Sequence, residues 1–100
     1  IENIDHLKEM RCLYLKRNAL QCMRGLEHVT NLVCLDLSEN SIEFVENLNH
    51  LPFLVTLNLS KNSLRSSQSI VNLKSSSSLK ILDVSNNYLE DNGVVDVFKL

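Results

Sequence analysis

The chain has 100 residues, 44% of them apolar and 22% charged, with a formal net charge of −2, which bounds it to one small domain without the basic excess of a nucleic-acid binder. Leu (19), Asn (12) and Ser (12) make up 43 residues, whereas Gly is 2 and Pro 1, so phosphate-cradling glycine loops are excluded and an enzyme with a supported catalytic cleft is not expected. No stretch approaches the roughly 20 apolar residues that cross a bilayer, and Ile1-Glu2-Asn3-Ile4-Asp5 lacks the basic-then-apolar layout of a signal peptide.

Along the chain the pattern L-x-x-L-x-L-x-x-N-x-L recurs four times. It occupies Met10, Leu13, Leu15, Asn18 and Leu20; Leu32, Leu35, Leu37, Asn40 and Ile42; Leu54, Leu57, Leu59, Asn62 and Leu64; and Leu79, Leu82, Val84, Asn87 and Leu89. The Asn spacings are 22, 22 and 25 residues. Residues 1–9 read as the end of a preceding repeat, with Ile1, Ile4 and Leu7 as its inward positions, and 10–31, 32–53, 54–78 and 79–100 as successive units. A start on Ile is expected of an excerpt from a longer protein, and a piece cut within an array is expected to self-associate or to be only marginally stable. Apolar residues continue every third position in the back half of the first two units, as Met23, Leu26, Val29 and Val45, Leu48, Leu51, a period that suits 3₁₀ or short helical turns. The third unit carries Ser67 at an apolar slot, and its three surplus residues are expected within Lys74-Ser75-Ser76-Ser77-Ser78, bulging as a polar loop. In the last unit Asp91-Asn92-Gly93 followed by Val94, Val97 and Phe98 reads as a capped helix start.

The pattern is that of leucine-rich repeats. The expected fold is an α/β solenoid: short parallel strands on the concave face, 3₁₀ or short helical segments on the convex one. Each L-x-L turns its leucines inward, and no unit buries its apolar edge without a neighbour. Asn18, Asn40, Asn62 and Asn87 would stack as a ladder, since an amide offers both donor and acceptor to turn backbone groups that would otherwise be buried unpaired.

The outward strand positions are the candidate partner-binding surface: Arg11, Cys12 and Tyr14; Val33, Cys34 and Asp36; Val55, Thr56 and Asn58; Lys80, Ile81 and Asp83. Their centre reads as apolar and their rim as mixed in charge, the make-up of a protein contact patch. Asp36, Glu39 and Asp83 among the cations, and Tyr14 as the lone ring, argue against nucleic acid. His6, His28 and His50 recur every 22 residues but stack too regularly to converge on one metal ion, and no cofactor site is readable. Cys12, Cys22 and Cys34 are an odd number without CxxC spacing, which favours reduced thiols. Cys12 and Cys34 would be strand neighbours, although side-by-side parallel positions seldom give a disulfide its dihedral angle.

The Ile1-Glu2-Asn3-Ile4 and Val45-Glu46-Asn47-Leu48 tails of these 22-residue units resemble the SDS22-type class of leucine-rich repeats, a cytosolic and nuclear group. Met10-Arg11-Cys12-Leu13-Tyr14-Leu15, then Leu51-Pro52-Phe53-Leu54 with Thr56-Leu57, the longer third unit, and Leu82-Asp83-Val84-Ser85-Asn86-Asn87-Tyr88-Leu89-Glu90-Asp91 are similar, in order, to the leucine-rich domain of the dynein axonemal assembly factors. That resemblance implies a non-enzymatic cytoplasmic factor, associated with the cilium and its axoneme, that pre-assembles dynein arms by contact with axonemal dynein chains or assembly chaperones. The wider class implies two alternatives, a phosphatase regulator whose concave face holds the catalytic subunit, and a structural subunit of the axoneme.

Overall fold

The computed structural model describes residues 8–89. The inward Ile1, Ile4 and Leu7, His6, and the helix start expected at Asp91-Asn92-Gly93 lie outside them. Four three-residue strands, β1 (Cys12–Tyr14), β2 (Cys34–Asp36), β3 (Thr56–Asn58) and β4 (Ile81–Asp83), form one parallel sheet in the order of the chain. The register is that of the repeat, with Leu13, Leu35, Leu57 and Leu82 side by side. Convex segments return the chain as 3₁₀ turns at Leu26–His28 and Leu48–His50, and as α1 (Ser67–Ile70) running into a 3₁₀ turn at Val71–Ser75.

The core is the stacked repeat positions. Leu35, Leu37, Ile42, Leu57, Leu59 and Leu64 are buried from the strand side, and Met23, Leu26, Val29, Val45, Leu48 and Leu51 from the convex side. Met10, Leu15, Leu20, Leu79, Leu82, Val84 and Leu89 pack against them while half-buried, because each lies in the first or last described unit.

Asn40, Asn62 and Asn87 each clamp the turn of the unit before. Their Nδ2 groups donate to the carbonyls of Leu15, Leu37 and Leu59 at 3.0, 2.9 and 2.9 Å. Their Oδ1 atoms accept from the backbone N–H groups of Leu20, Ile42 and Leu64 at 3.0, 3.0 and 3.1 Å. Each amide also donates to its own turn, as Asn40 does to the Leu37 and Ser38 carbonyls. Among the described residues Asn18 is exposed, and its amide donates to the Lys16 carbonyl at 3.2 Å.

The residue before each ladder Asn takes a left-handed backbone: Arg17, Glu39, Lys61 and Asn86, with φ of 59°, 55°, 56° and 57°. Three of the four carry a long side chain where the Cβ is unfavourable, a local cost of about 1–2 kcal/mol each that the ladder bonds offset.

A second brace runs along the convex side and gives the Val-Glu-Asn-Leu tail its physical meaning. Glu46 Oε1 accepts from the Met23 N–H at 3.0 Å, and Asn47 Nδ2 donates to the Met23 carbonyl at 3.0 Å. One unit later Asn72 Nδ2 donates to the Val45 carbonyl at 2.8 Å, while the Val45 N–H donates to the Ser69 carbonyl at 2.7 Å.

This brace corrects the reading of the third unit. Asn72 stands where Asn47 does, so the three surplus residues precede it rather than bulging at Lys74–Ser78. They form the extra turn of α1, capped reciprocally by Ser66 and Ser69. The slot assigned to Ser67 is filled three residues later by Ile70, fully buried, and Leu73 follows it inward. Ser76 then takes the inward column of Val29 and Leu51, and its buried hydroxyl finds no hydrogen-bond partner among the described residues.

Candidate interaction surface

The strand register sorts the outward residues into rows. Cys12, Cys34, Thr56 and Ile81 lie side by side in one, Tyr14, Asp36, Asn58 and Asp83 in the next. Arg11, Val33, Val55 and Lys80 border the first row, joined unit to unit by the Val33 N–H on the Arg11 carbonyl, the Val55 N–H on the Val33 carbonyl and the Lys80 N–H on the Val55 carbonyl. The eight strand residues therefore share one face, and Arg11, Val33, Val55 and Lys80 run along its edge. They are not equally available.

Tyr14 and Ile81 are 69% and 60% exposed and stand at opposite ends of the sheet, about 14 Å apart at three strand spacings. Val33, Cys34, Val55 and Thr56 between them are half-buried. Among the described strands the face thus carries a half-buried strip flanked by two exposed apolar side chains.

Asp36, Asn58 and Asp83 are engaged within the protein. Asp36 Oδ1 accepts from both the N–H and the hydroxyl of Ser38, at 2.9 and 2.7 Å, and Asp83 Oδ1 does the same with Ser85. Asn58 Oδ1 accepts from the Ser60 N–H. These bonds hold the Asp83 carboxyl below its usual range, the Ser85 hydroxyl contributing most. The signal for them was the repeated Asp/Asn-x-Ser, which closes a short Asx turn at the end of β2, β3 and β4; Tyr14-Leu15-Lys16 lacks it.

Around the thiols a short polar chain crosses the sheet. Hydrogen bonding to Cys12 pushes the Cys34 thiol up, with burial adding to it, and the Cys12 sulfur beside Tyr14 likewise raises the phenol. Cys12, Cys22 and Cys34 are all free thiols. His28 and His50 are exposed on the 3₁₀ turns, and among the described residues no set of three His, Cys, Asp or Glu side chains could hold a metal ion. No described helix is long and apolar enough to cross a membrane.

The repeat pattern also pointed to Phe53 without its being counted in the face. The equivalent slot holds Glu9, Asn31 and Ser78 in the other units, so an aromatic there has no inward place. Phe53 is 58% exposed, and with Glu9, Arg11, Asn31 and Val33 it lines a shallow depression of about 350 Å³ where the sheet face meets its loop edge. On the rim, Glu39 accepts from Lys16 and Arg17, both at 3.1 Å, which ties the first two turns together and holds its carboxyl low, Lys16 first.

Strand stack and Asn ladder define a leucine-rich-repeat solenoid, a fold that in general serves as a non-enzymatic protein-binding module. A family profile described as Leucine Rich repeat matches residues 75–97. The chain is similar in fold to an internalin from Listeria monocytogenes, with a TM-score of 0.81 over 97% of this chain at 22% sequence identity. It spans 28% of the length of that internalin chain. No curated protein matches it in sequence.

Proposed function

We propose that the concave face binds a protein partner across Tyr14, Val33, Val55 and Ile81, and that the protein works as an SDS22-type factor in the cytoplasmic pre-assembly of axonemal dynein arms. The observation that carries the binding reading is that exposed Tyr14 and Ile81 share one sheet face with half-buried Val33 and Val55. Such a patch inside a polar rim is what protein contacts use. Phe53 and Arg11 extend it beside Val33, and Phe and Arg are both enriched at protein interfaces.

Support for the ciliary role is the ordered sequence likeness, from Met10-Arg11-Cys12-Leu13-Tyr14-Leu15 to the Leu82–Asp91 segment, to the dynein axonemal assembly factors. Support for the SDS22-type class is the Glu46-Asn47 tail, whose two side chains bind one backbone unit of the preceding repeat. On this reading the partners are axonemal dynein chains or assembly chaperones, and the protein resides in the cytoplasm and at the ciliary axoneme.

The test is capture from ciliated-cell lysate by the full-length protein, read by mass spectrometry, against a Tyr14→Ala, Ile81→Ala variant. Both side chains are mostly exposed, so the fold is retained. Dynein chains or chaperones captured by the wild type and lost in the variant are the expected result. Phosphatase catalytic subunits in their place would overturn the ciliary role while keeping the face. A partner list indifferent to the variant would overturn the face.

A further inference from the structure

Three cysteines lie in the first two described units, and two of them are direct partners in the sheet register, Cys12 on β1 and Cys34 on β2. Adjacent parallel strands run about 4.8 Å apart, within the roughly 4.4–6.8 Å between Cα atoms that a disulfide spans. The two thiols sit on the same face of the sheet, side by side in register on adjacent strands. Cys12 is exposed and Cys34 half-buried, an arrangement in which one sulfur meets solvent and the other waits beside it. Cys22 lies outside the sheet, ahead of the convex turn, and is not a register partner of either.

We propose that Cys12 and Cys34 are a peroxide-oxidisable dithiol, resting reduced and closing to an intramolecular disulfide across β1 and β2. In the first step the Cys12 sulfur attacks one peroxide oxygen; the O–O bond breaks, Cys12 becomes a sulfenic acid and one water leaves. In the second, the Cys34 sulfur attacks the Cys12 sulfur, the S–S bond forms as the S–O bond breaks, and the departing hydroxide takes the Cys34 proton as a second water. Two thiols lose two electrons in all, and the peroxide gains them. A sulfenic acid with a resolving thiol on the neighbouring strand condenses instead of oxidising further. The pairing stands on strand register alone and is independent of what the face binds.

Trypsin places each cysteine on its own peptide, because cleavage follows Arg11, Lys16, Arg17, Arg24 and Lys61. The full chain is treated with hydrogen peroxide, digested without reductant and mapped by mass spectrometry. Expected is the Cys12 peptide joined to the Cys34 peptide, about 2 Da lighter than their sum, reversed by dithiothreitol, with the protein still at its unoxidised molecular mass by light scattering. In Cys34→Ser the Cys12 sulfenic acid persists and is trapped by dimedone, whereas the wild type takes up no dimedone. Sulfinic acid on Cys12 with Cys34 still free, a link through Cys22, or disulfide-joined dimers would each overturn the proposal.

Discussion

Asn40→Leu is the most direct probe of what holds the solenoid together. The substitution keeps side-chain bulk and removes an amide engaged in five hydrogen bonds: to the Leu15, Leu37 and Ser38 carbonyls, and from the Asn18 and Leu20 N–H groups. Two of the carbonyls keep another donor, since Leu37 also accepts from Asn62 and Ser38 from the Arg17 N–H. The Leu15 carbonyl and the Asn18 and Leu20 N–H groups are left without a partner, all at partly buried sites. At about 1 kcal/mol for each such group, the variant loses about 3 kcal/mol. Asn18→Leu removes one exposed, local bond and costs under about 0.5 kcal/mol. Urea unfolding followed by circular dichroism separates the two, because with a slope of about 1–3 kcal/mol per molar a 3 kcal/mol loss moves the midpoint by about 1–3 M. Equal midpoints for the two variants would refute the ladder as the brace between units.

Ser76→Val should stabilise the protein by about 1–2 kcal/mol, because it removes an unpartnered buried hydroxyl and continues the Val29–Leu51 column into an adjoining depression of about 220 Å³. A thermal melt that stays put or falls would show that the column does not continue through Ser76. For Glu39 the folded carboxyl is held below its unfolded value by Lys16 and Arg17, so its contribution is present above the ordinary carboxylate range and is lost as pH falls through the depressed value. Glu39→Gln should therefore be less stable than the wild type at pH 7 and equal to it near pH 2, and a gap that survives at low pH would exclude the ion pairs as its source.

The strand side of the fold was legible from the Leu and Asn positions alone, since a column repeated every 22 residues has only one inward direction. The convex side of the third unit was not, because Ser76 at an inward slot looks like loop composition and drew the surplus residues toward Lys74–Ser78. Asn72 was the better guide: an Asn followed by Leu73 repeats Asn47-Leu48 and fixes the register from the hydrogen bond it makes. Within the candidate face, the pattern identified which residues face outward without showing which are spent. Asp36 and Asp83 look free as letters, and only the Ser two residues on reveals that one oxygen of each is taken.

The ladder also has a direction. Asn40, Asn62 and Asn87 each reach backward, so a turn that its own Asn holds in part is completed by the unit that follows it. On a ribosome this makes assembly vectorial: the Leu37 carbonyl and Ile42 N–H wait for Asn62 to emerge, and the Leu59 carbonyl and Leu64 N–H wait for Asn87. Damage follows the same arrow, since losing one ladder Asn loosens the unit translated before it.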